Sequence, residues 1–359
     1  MAGNISGNKM RQPRTATIVV GGWFGDEGKG KVVSYVAVND RYEHIARAGV
    51  GTNAGHTVCL DGTKYALSMV PSGFTNPDST LYIGRGVLVN PKKLLEEIEL
   101  CKIGKRFYVD RLCPVIEQRH IETDRTGYNR EKVGTTGTGC GPAQAERVAR
   151  SPDIQFAKDI EELGTYTADV SGLLVKALSE GEDILVEMTQ GTMLSLYGFE
   201  VDGQLTYHNA TSKDTTAGSA CADVGIGPTH VKDVIAVYKA RPSRVGQGIF
   251  PGELPEGEQK RLRDMGQGEY GTVSGRQRRL GEWTDEVFEL AKKTADMNGA
   301  TQIAVTKIDT VYEGNKGKRD YERLTDPART FIDQLEGRLN RPVTLIGTGE
   351  DVFDIVDRR

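Results

Sequence analysis

Four glycine-rich turns in this 359-residue chain each carry a polar side chain that could do chemistry: Asp26, His56, Thr136 and Gln190. The densest is Gly21-Gly-Trp-Phe-Gly-Asp-Glu-Gly-Lys-Gly-Lys31. Glycine leaves backbone N–H groups bare, and where such a turn opens a helix those donors and the positive helix end bind phosphate. Gly25 to Lys31 also has the G-x-x-x-x-G-K spacing of a Walker-type loop. Val32 stands where that motif carries the Ser or Thr that holds Mg²⁺, so Asp26 is the natural substitute, as metal ligand, as base or as both. Asn53-Ala-Gly-His56 puts an amide and an imidazole on flexible backbone, suited to touching a phosphate or moving a proton. Gly134-Thr-Thr-Gly-Thr-Gly-Cys-Gly-Pro142 and Met188-Thr-Gln-Gly-Thr-Met193 complete the set. One such turn alone reads as a tight bend and nothing more; four in one chain argue for a nucleotide site.

Two further groups widen the chemistry. Gly271-Thr-Val-Ser-Gly-Arg-Gln-Arg-Arg-Leu280 offers three arginines, whose planar forks suit bidentate capture of carboxylates. A solvated basic turn accounts for the same residues equally well. Val305-Thr-Lys-Ile-Asp309 resembles the Lys-x-Asp element with which GTP-binding proteins clamp guanine, a signal that carries little alone.

The elements that must position these loops are strands and helices in alternation. Thr17-Ile-Val-Val reads as a buried strand and Val32-Val-Ser-Tyr-Val-Ala as the helix after the first loop. Thr57 to Leu67 reads as a hairpin around Asp61-Gly62, and Leu81-Tyr-Ile-Gly as a short strand. Pro91 to Lys102 has helical apolar spacing with Pro in its first turn. Ile154 to Glu180 is helical in pattern. Ile184-Leu-Val-Glu, Val234-Ile-Ala-Val-Tyr and Gln302-Ile-Ala-Val-Thr are further strands, with Pro342-Val-Thr-Leu-Ile as the last. The pattern predicts an α/β fold: one large domain over 15–359, a mainly parallel central sheet, helices on both faces, a P-loop-like phosphate site and insertions. Residues 1–14 read as a frayed extension.

Bulk properties exclude other classes. Net charge is −4, and no basic stripe argues for nucleic acid. The apolar runs are strand-length, which argues against a membrane span, and 1–14 lack the apolar stretch of a signal peptide. Five cysteines, odd in number and without C-x-x-C spacing, argue against structural zinc or disulfides and for the cytoplasm. A nucleotide-binding switch is the competing class, suggested by the Walker-like loop. The missing Ser/Thr after Lys31 and the arginine cluster count against it.

Taken in this order, the residues resemble the adenylosuccinate synthetase family over nearly the whole chain, from Thr17 to the last strand. Gly25-Asp-Glu-Gly-Lys-Gly-Lys31, Asn53-Ala-Gly-His56, Gly134-Thr-Thr-Gly, Thr215-Thr-Ala-Gly and Arg244-Val-Gly carry the resemblance. The short length is similar to the compact archaeal type. The resemblance implies a Mg²⁺-dependent carbon–nitrogen ligase of two steps. A nucleoside triphosphate phosphorylates the 6-oxygen of a purine monophosphate, and the amine of L-aspartate then displaces that phosphate. Implied catalytic residues are Asp26, His56, Lys29 and Gln190. The triphosphate (ATP, dATP or GTP) falls to Asp26, Glu27, Gly28, Lys29, Gly30, Gly55, His56, Thr57, Lys307, Asp309, Gly347 and Gly349. The acceptor falls to Asp26, Asn53, Ala54, Thr135, Thr136, Gln190 and Thr211, with Arg150 supplied by the neighbouring subunit of a homodimer. Aspartate falls to Val245, Ser274, Arg276 and Arg278, and Mg²⁺ to Asp26 and the Gly55 carbonyl.

Departures from the family pattern bear on substrate choice. The usual Gly-Gln-Trp-Gly-Asp-Glu is Gly22-Trp-Phe-Gly-Asp-Glu27, the usual Glu-Gly before the glutamine is Glu187-Met188, and a tyrosine-proline run is replaced by Gly203 to Ala210. Phe-Pro-Thr-Glu-Leu is Phe250-Pro-Gly-Glu-Leu254, and the closing Ser/Thr-x-Gly-Pro is Gly347-Thr-Gly-Glu350. Clustered near the bases, with the catalytic identities intact, they suggest the family's phage branch, which converts dGMP to the succino precursor of 2-aminoadenine, in the host cytoplasm. Retention of Asp26, which that branch can replace by a smaller residue, runs against this. IMP is the alternative acceptor.

Overall fold

The computed structural model describes residues 15–271 and 275–359, so the expected 1–14 extension and Ser274 lie outside the described residues. At its centre the run Ala16–Gly21 is buried at all six positions. Val, Ile and Thr fill pleated positions well, and a strand apolar on both faces demands cover on both. Ten strands form the sheet, in the spatial order Ile355–Asp357, Val343–Gly347, Gln302–Thr306, Val231–Lys239, Ala16–Gly21, Ile184–Glu187, His44–Arg47, Thr80–Ile83, Phe107–Asp110 and Thr167–Ala168. Eight of the nine pairings are parallel; the Ile355–Asp357 edge is antiparallel. Two large apolar clusters cover the sheet, one containing Ile18 and Val20, the other Val19. This is the α/β domain with a mainly parallel sheet that the alternation predicts.

The helix after the first loop is Lys29–Asn39 and begins inside the glycine run. Pro91–Cys101 opens with Asn90, whose side chain accepts from Lys93 N at 3.0 Å. The hairpin His56–Leu60 with Thr63–Leu67 turns at Asp61-Gly62, both at positive φ as a two-residue primed turn requires.

Two expectations fail. α-Helix is confined to Val170–Glu180 within the stretch 154–180, with only short 3₁₀ turns at Ala157–Asp159 and Glu161–Tyr166 before it. Asp169 accepts from Gly172 N at 3.2 Å and starts the helix there, while Thr167 pairs with Val109 at the sheet edge. Nor is the strand at 343–347 the last, since the chain returns through Ile355–Asp357 beside it.

Three of the four glycine loops leave the carboxyl ends of parallel strands, and the fourth, Gly134–Pro142, joins the turn Asn129–Val133 to the helix Cys140–Ala149. In such sheets ligands bind outside those ends, where the winding reverses. Here the reversal lies between Ala16–Gly21 and Ile184–Glu187.

Candidate active site

A cleft of about 1080 Å³ opens over these strand ends. The loop 22–28 forms its floor, with Gly25, Asp26 and Gly28 all at positive φ. Gly22 is obligatory, since a Cβ there would lie 2.1 Å from the Tyr238 ring. Glu27 is 1% exposed and ties the loop together, accepting from Trp23 N at 3.1 Å, Gly25 N at 2.7 Å and Lys29 Nζ at 2.8 Å. The expectation that Glu27 serves the triphosphate is therefore corrected for its side chain: the carboxylate fills, from inside, the role a phosphate would take in a backbone nest. Lys29 also donates to the Gln190 carbonyl, which leaves one ammonium N–H for an anion, beside the first-turn amides of Lys29–Asn39. Lys31, the lysine of the Walker spacing, turns elsewhere. It donates to the carbonyls of Gly349 (2.8 Å) and Asp351, and burial pushes its pKa down to about 8.

Asp26 faces the cleft with Oδ2 3.0 Å from Arg278 Nε. Arg278 also donates to Glu269 at 2.8 Å, and Glu269 gathers Lys239 and, at 3.1 Å, Lys307. Burial works against ionisation of Glu269, but the three cations hold its carboxyl well below the usual range. Lys239, fully enclosed, is pushed down to about 8 by burial despite that partner. Arg276 caps the carbonyls of Gly134 (2.9 Å) and Thr135, linking the arginine segment to the third glycine loop.

On the opposite wall, Asn53 Nδ2 donates to Thr211 Oγ1 at 3.1 Å, while Asn53 Oδ1 is buried with no partner among the described residues, an acceptor waiting for a ligand donor. His56 Nε2 lies 2.9 Å from the Val70 carbonyl. Burial, reinforced by Arg47, pushes its pKa down to about 4, so the ring is neutral at pH 7. The Thr135 hydroxyl is bound to Asp124 (3.0 Å), and that of Thr136 lies 3.2 Å from Thr138 Oγ1. Gln190 sits at φ 55°, its amide oxygen accepting from Thr189 at 2.5 Å.

The cleft thus brings together Asp26, Glu27, Gly28, Lys29, Gly30, Asn53, Ala54, Gly55, His56, Thr57, Thr135, Thr136, Gln190, Thr211, Val245, Arg276, Arg278, Lys307, Asp309 and Gly349. Two expected residues are off its wall. Gly347 is inside the sheet, where a Cβ would meet Thr306 Cα at 3.3 Å. Arg150 is exposed at the end of the helix Cys140–Ala149. Glu269 and Lys239 were missed; neither stands in a motif. Trp23 and Met188, expected near the acceptor base, are 4% and 0% exposed and join the central core, with Trp23 set edge-on against Phe24 at 5.4 Å. Trp23 fills space behind the loops, while Met188 also lines the cleft beside Gln190.

Among the described residues no three acidic, His or Cys side chains gather as a preformed metal centre. Mg²⁺ takes few protein oxygens and completes its shell with phosphates and water. One cleft carboxylate, Asp26, with the Gly55 backbone lining the same cleft, fits that habit.

A doubly wound sheet, an anion-binding helix start and a buried arginine–carboxylate relay in one cleft define a nucleotide enzyme of phosphate-transfer type. Comparison with known proteins narrows the class. The adenylosuccinate synthetase family model matches residues 18–158 and 154–318. Adenylosuccinate synthetase from Archaeoglobus fulgidus is 50% identical over 345 residues, covering 96% of this chain and 98% of that protein. The one from Pyrococcus horikoshii is 49% identical over 348 residues, with the same coverage. Among solved structures, fully ligated adenylosuccinate synthetase from Plasmodium falciparum superposes with TM-score 0.85 at 23% identity, covering 96% of this chain and 100% of that one. The cyanophage S-2L succinoaminodeoxyadenylate synthetase, bound to dGMP and dATP, gives 0.78 at 22% identity, covering 96% of each chain. At those identities the two structures speak for the fold.

The chain belongs to the adenylosuccinate synthetase family. It is a carbon–nitrogen ligase using Mg²⁺ and a nucleoside triphosphate, in a family whose substrates are a purine nucleoside monophosphate and aspartate.

Proposed function

We propose that this enzyme joins L-aspartate to C6 of IMP, giving adenylosuccinate, with phosphorylation of the 6-oxygen by GTP as the first step. The observation that carries the acceptor is the near full-length likeness, at 49–50% identity, to archaeal proteins named adenylosuccinate synthetase. IMP therefore replaces dGMP as the leading reading.

The chemistry follows from the side chains on the cleft. A lactam oxygen is a poor nucleophile until N1 loses its proton, and Asp26 is the carboxylate placed to take it. Asn53 and Gln190 orient the base, and the orphaned Asn53 Oδ1 accepts a ligand donor. Lys29 and the first-turn amides hold the transferring phosphates; their negative charge favours a proton on His56 Nδ1, and the imidazolium so formed stabilises them. Mg²⁺, held by Asp26 and Gly55, would neutralise charge between the phosphates. Arg276 and Arg278 receive the carboxylates of aspartate, whose amine then displaces phosphate from C6. Asp309 presents acceptor oxygens that match the N1–H and 2-amino donors of guanine, whereas adenine lacks that pair. Arg150, exposed and away from its own cleft, serves the cleft of a second subunit in a homodimer.

The test is aspartate-dependent phosphate release by purified protein with IMP or dGMP as acceptor and GTP, ATP or dATP as donor. IMP with GTP should give the highest kcat/KM. Turnover with dGMP alone would overturn the acceptor assignment, and no turnover with either would overturn the assigned residues as well.

A further inference from the structure

What fixes the ring of His56 lies behind it. The Val70 carbonyl, 2.9 Å from Nε2, can only accept, so Nε2 carries a hydrogen and Nδ1 is the ring nitrogen left for other partners. Val70 belongs to a strap, residues 68–72, buried throughout. Two carboxylates, each 1% exposed, grip the strap on either side of that carbonyl. Glu97, from the helix Pro91–Cys101, accepts from the backbone N–H groups of Ser68 (2.7 Å), Met69 (2.9 Å) and Val70 (2.9 Å). Glu187, ending the strand Ile184–Glu187, accepts from Ser72 N and Ser72 Oγ, both at 2.7 Å.

The strap also reaches the neighbouring loops. Arg47, 1% exposed, donates to the carbonyls of Ser68 (3.0 Å) and Ala54 (3.2 Å) and stands 3.4 Å from Glu187. Ser34, from the phosphate-loop helix, donates to the Ser72 carbonyl at 2.7 Å. Apolar packing could hold a buried strap in place without charges, and buried carboxylates are costly unless fully hydrogen-bonded. What charged acceptors add is direction: three convergent amides on one carboxylate fix how the peptide planes face.

We propose that Glu97 and Glu187 are positioning residues for His56, which through the 68–72 strap select its Nε2–H tautomer and set the direction of Nδ1. The inference rests on the reading that His56 acts on the transferring phosphates. Outer-shell groups that orient metal-bound imidazoles cost about 10–100-fold in affinity or activity when lost, and the same scale is taken for His56.

The test uses the full chain with ¹⁵N-labelled histidine, the His56 signals being assigned by their loss in His56→Asn. Phosphoryl transfer from GTP to IMP is followed in single turnovers for Glu97→Gln, Glu97→Asp, His56→Asn and the double variant Glu97→Gln/His56→Asn. The wild-type ring should be the Nε2–H tautomer at neutral pH. In Glu97→Gln it should become a mixture, with the rate down about 10–100-fold and the KM for GTP little changed. Glu97→Asp should recover part of both. In the His56→Asn background Glu97→Gln should cost nothing further. An unchanged tautomer, or an equal rate loss in both backgrounds, overturns the proposal. If Glu97→Gln fails to fold, Ser72→Ala, which removes one donor from Glu187, is read in the same two assays. Wild-type turnover by His56→Asn would remove His56 from the reaction, yet the tautomer would still judge the strap.

Discussion

Replacing Asp26 by asparagine separates its roles cleanly. The amide keeps the shape and leaves an oxygen for Arg278 Nε, now 3.0 Å from Oδ2. The contact changes from an ion pair to an ion–dipole contact, a loss of about 1 kcal/mol in stability. Arg278 keeps Glu269 at 2.8 Å, so its charge stays paired. That loss is small beside the ~5–15 kcal/mol by which folded domains exceed their unfolded chains. The chemical loss is larger. A positioned general base contributes about 10²–10⁴-fold, or ~2.7–5.4 kcal/mol at ~1.36 kcal/mol per tenfold. Removing an anionic metal ligand adds to it, so Asp26→Asn should lower kcat by at least about 10³-fold. Triphosphate binding should weaken by less than about tenfold, because Lys29 and the helix-start amides are untouched. Two assays divide the steps: aspartate-dependent phosphate release for the whole reaction, and positional isotope exchange in GTP with IMP but no aspartate for the first. Both should collapse together. Exchange at the wild-type rate, or turnover within threefold of wild type, would refute a proton-abstracting role for this carboxylate.

Trp23→Gln should lower stability by about 2–4 kcal/mol, since it deletes a core aromatic and buries an amide. It should leave the IMP to dGMP ratio of kcat/KM unchanged; a swing beyond tenfold would put Trp23 at the base pocket after all. The depressed pKa of His56 predicts a pH dependence of folding. Above pH 6.5 neither state is protonated there and the term vanishes. As pH falls towards about 4, the unfolded chain takes a proton that the native ring refuses, and stability is lost. Thermal melts of wild type and His56→Asn should therefore converge between pH 7.5 and 5, and parallel curves would show that the ring titrates normally.

Much of the fold follows from short-range preferences. The β-branched run at Thr17–Val20, Asn90 before Pro91 and the Asp61-Gly62 turn each form what their own few residues favour. The stretch 154–180 misled because apolar spacing alone does not register that Asp169 caps a helix or that Thr167 joins the sheet edge. The Glu27 side chain misled for a related reason. An acidic group in a phosphate loop reads as ligand-facing, whereas here it accepts from the loop's own amides and from Lys29, closing the loop from within.

The chain by itself determined which chemistry was available: bare amides at a helix start, a carboxylate and an imidazole on glycine loops, and paired arginines. Tertiary structure decided where each group points. Ser72 meets Glu187 across 115 residues and Lys29 meets Gln190 across 161, separations that no local pattern encodes. Backbone preferences are set by near neighbours, but a buried charge is satisfied only by whatever the packed sheet brings beside it. Hence Trp23 was visible as a departure, and only packing showed that it turns into the core.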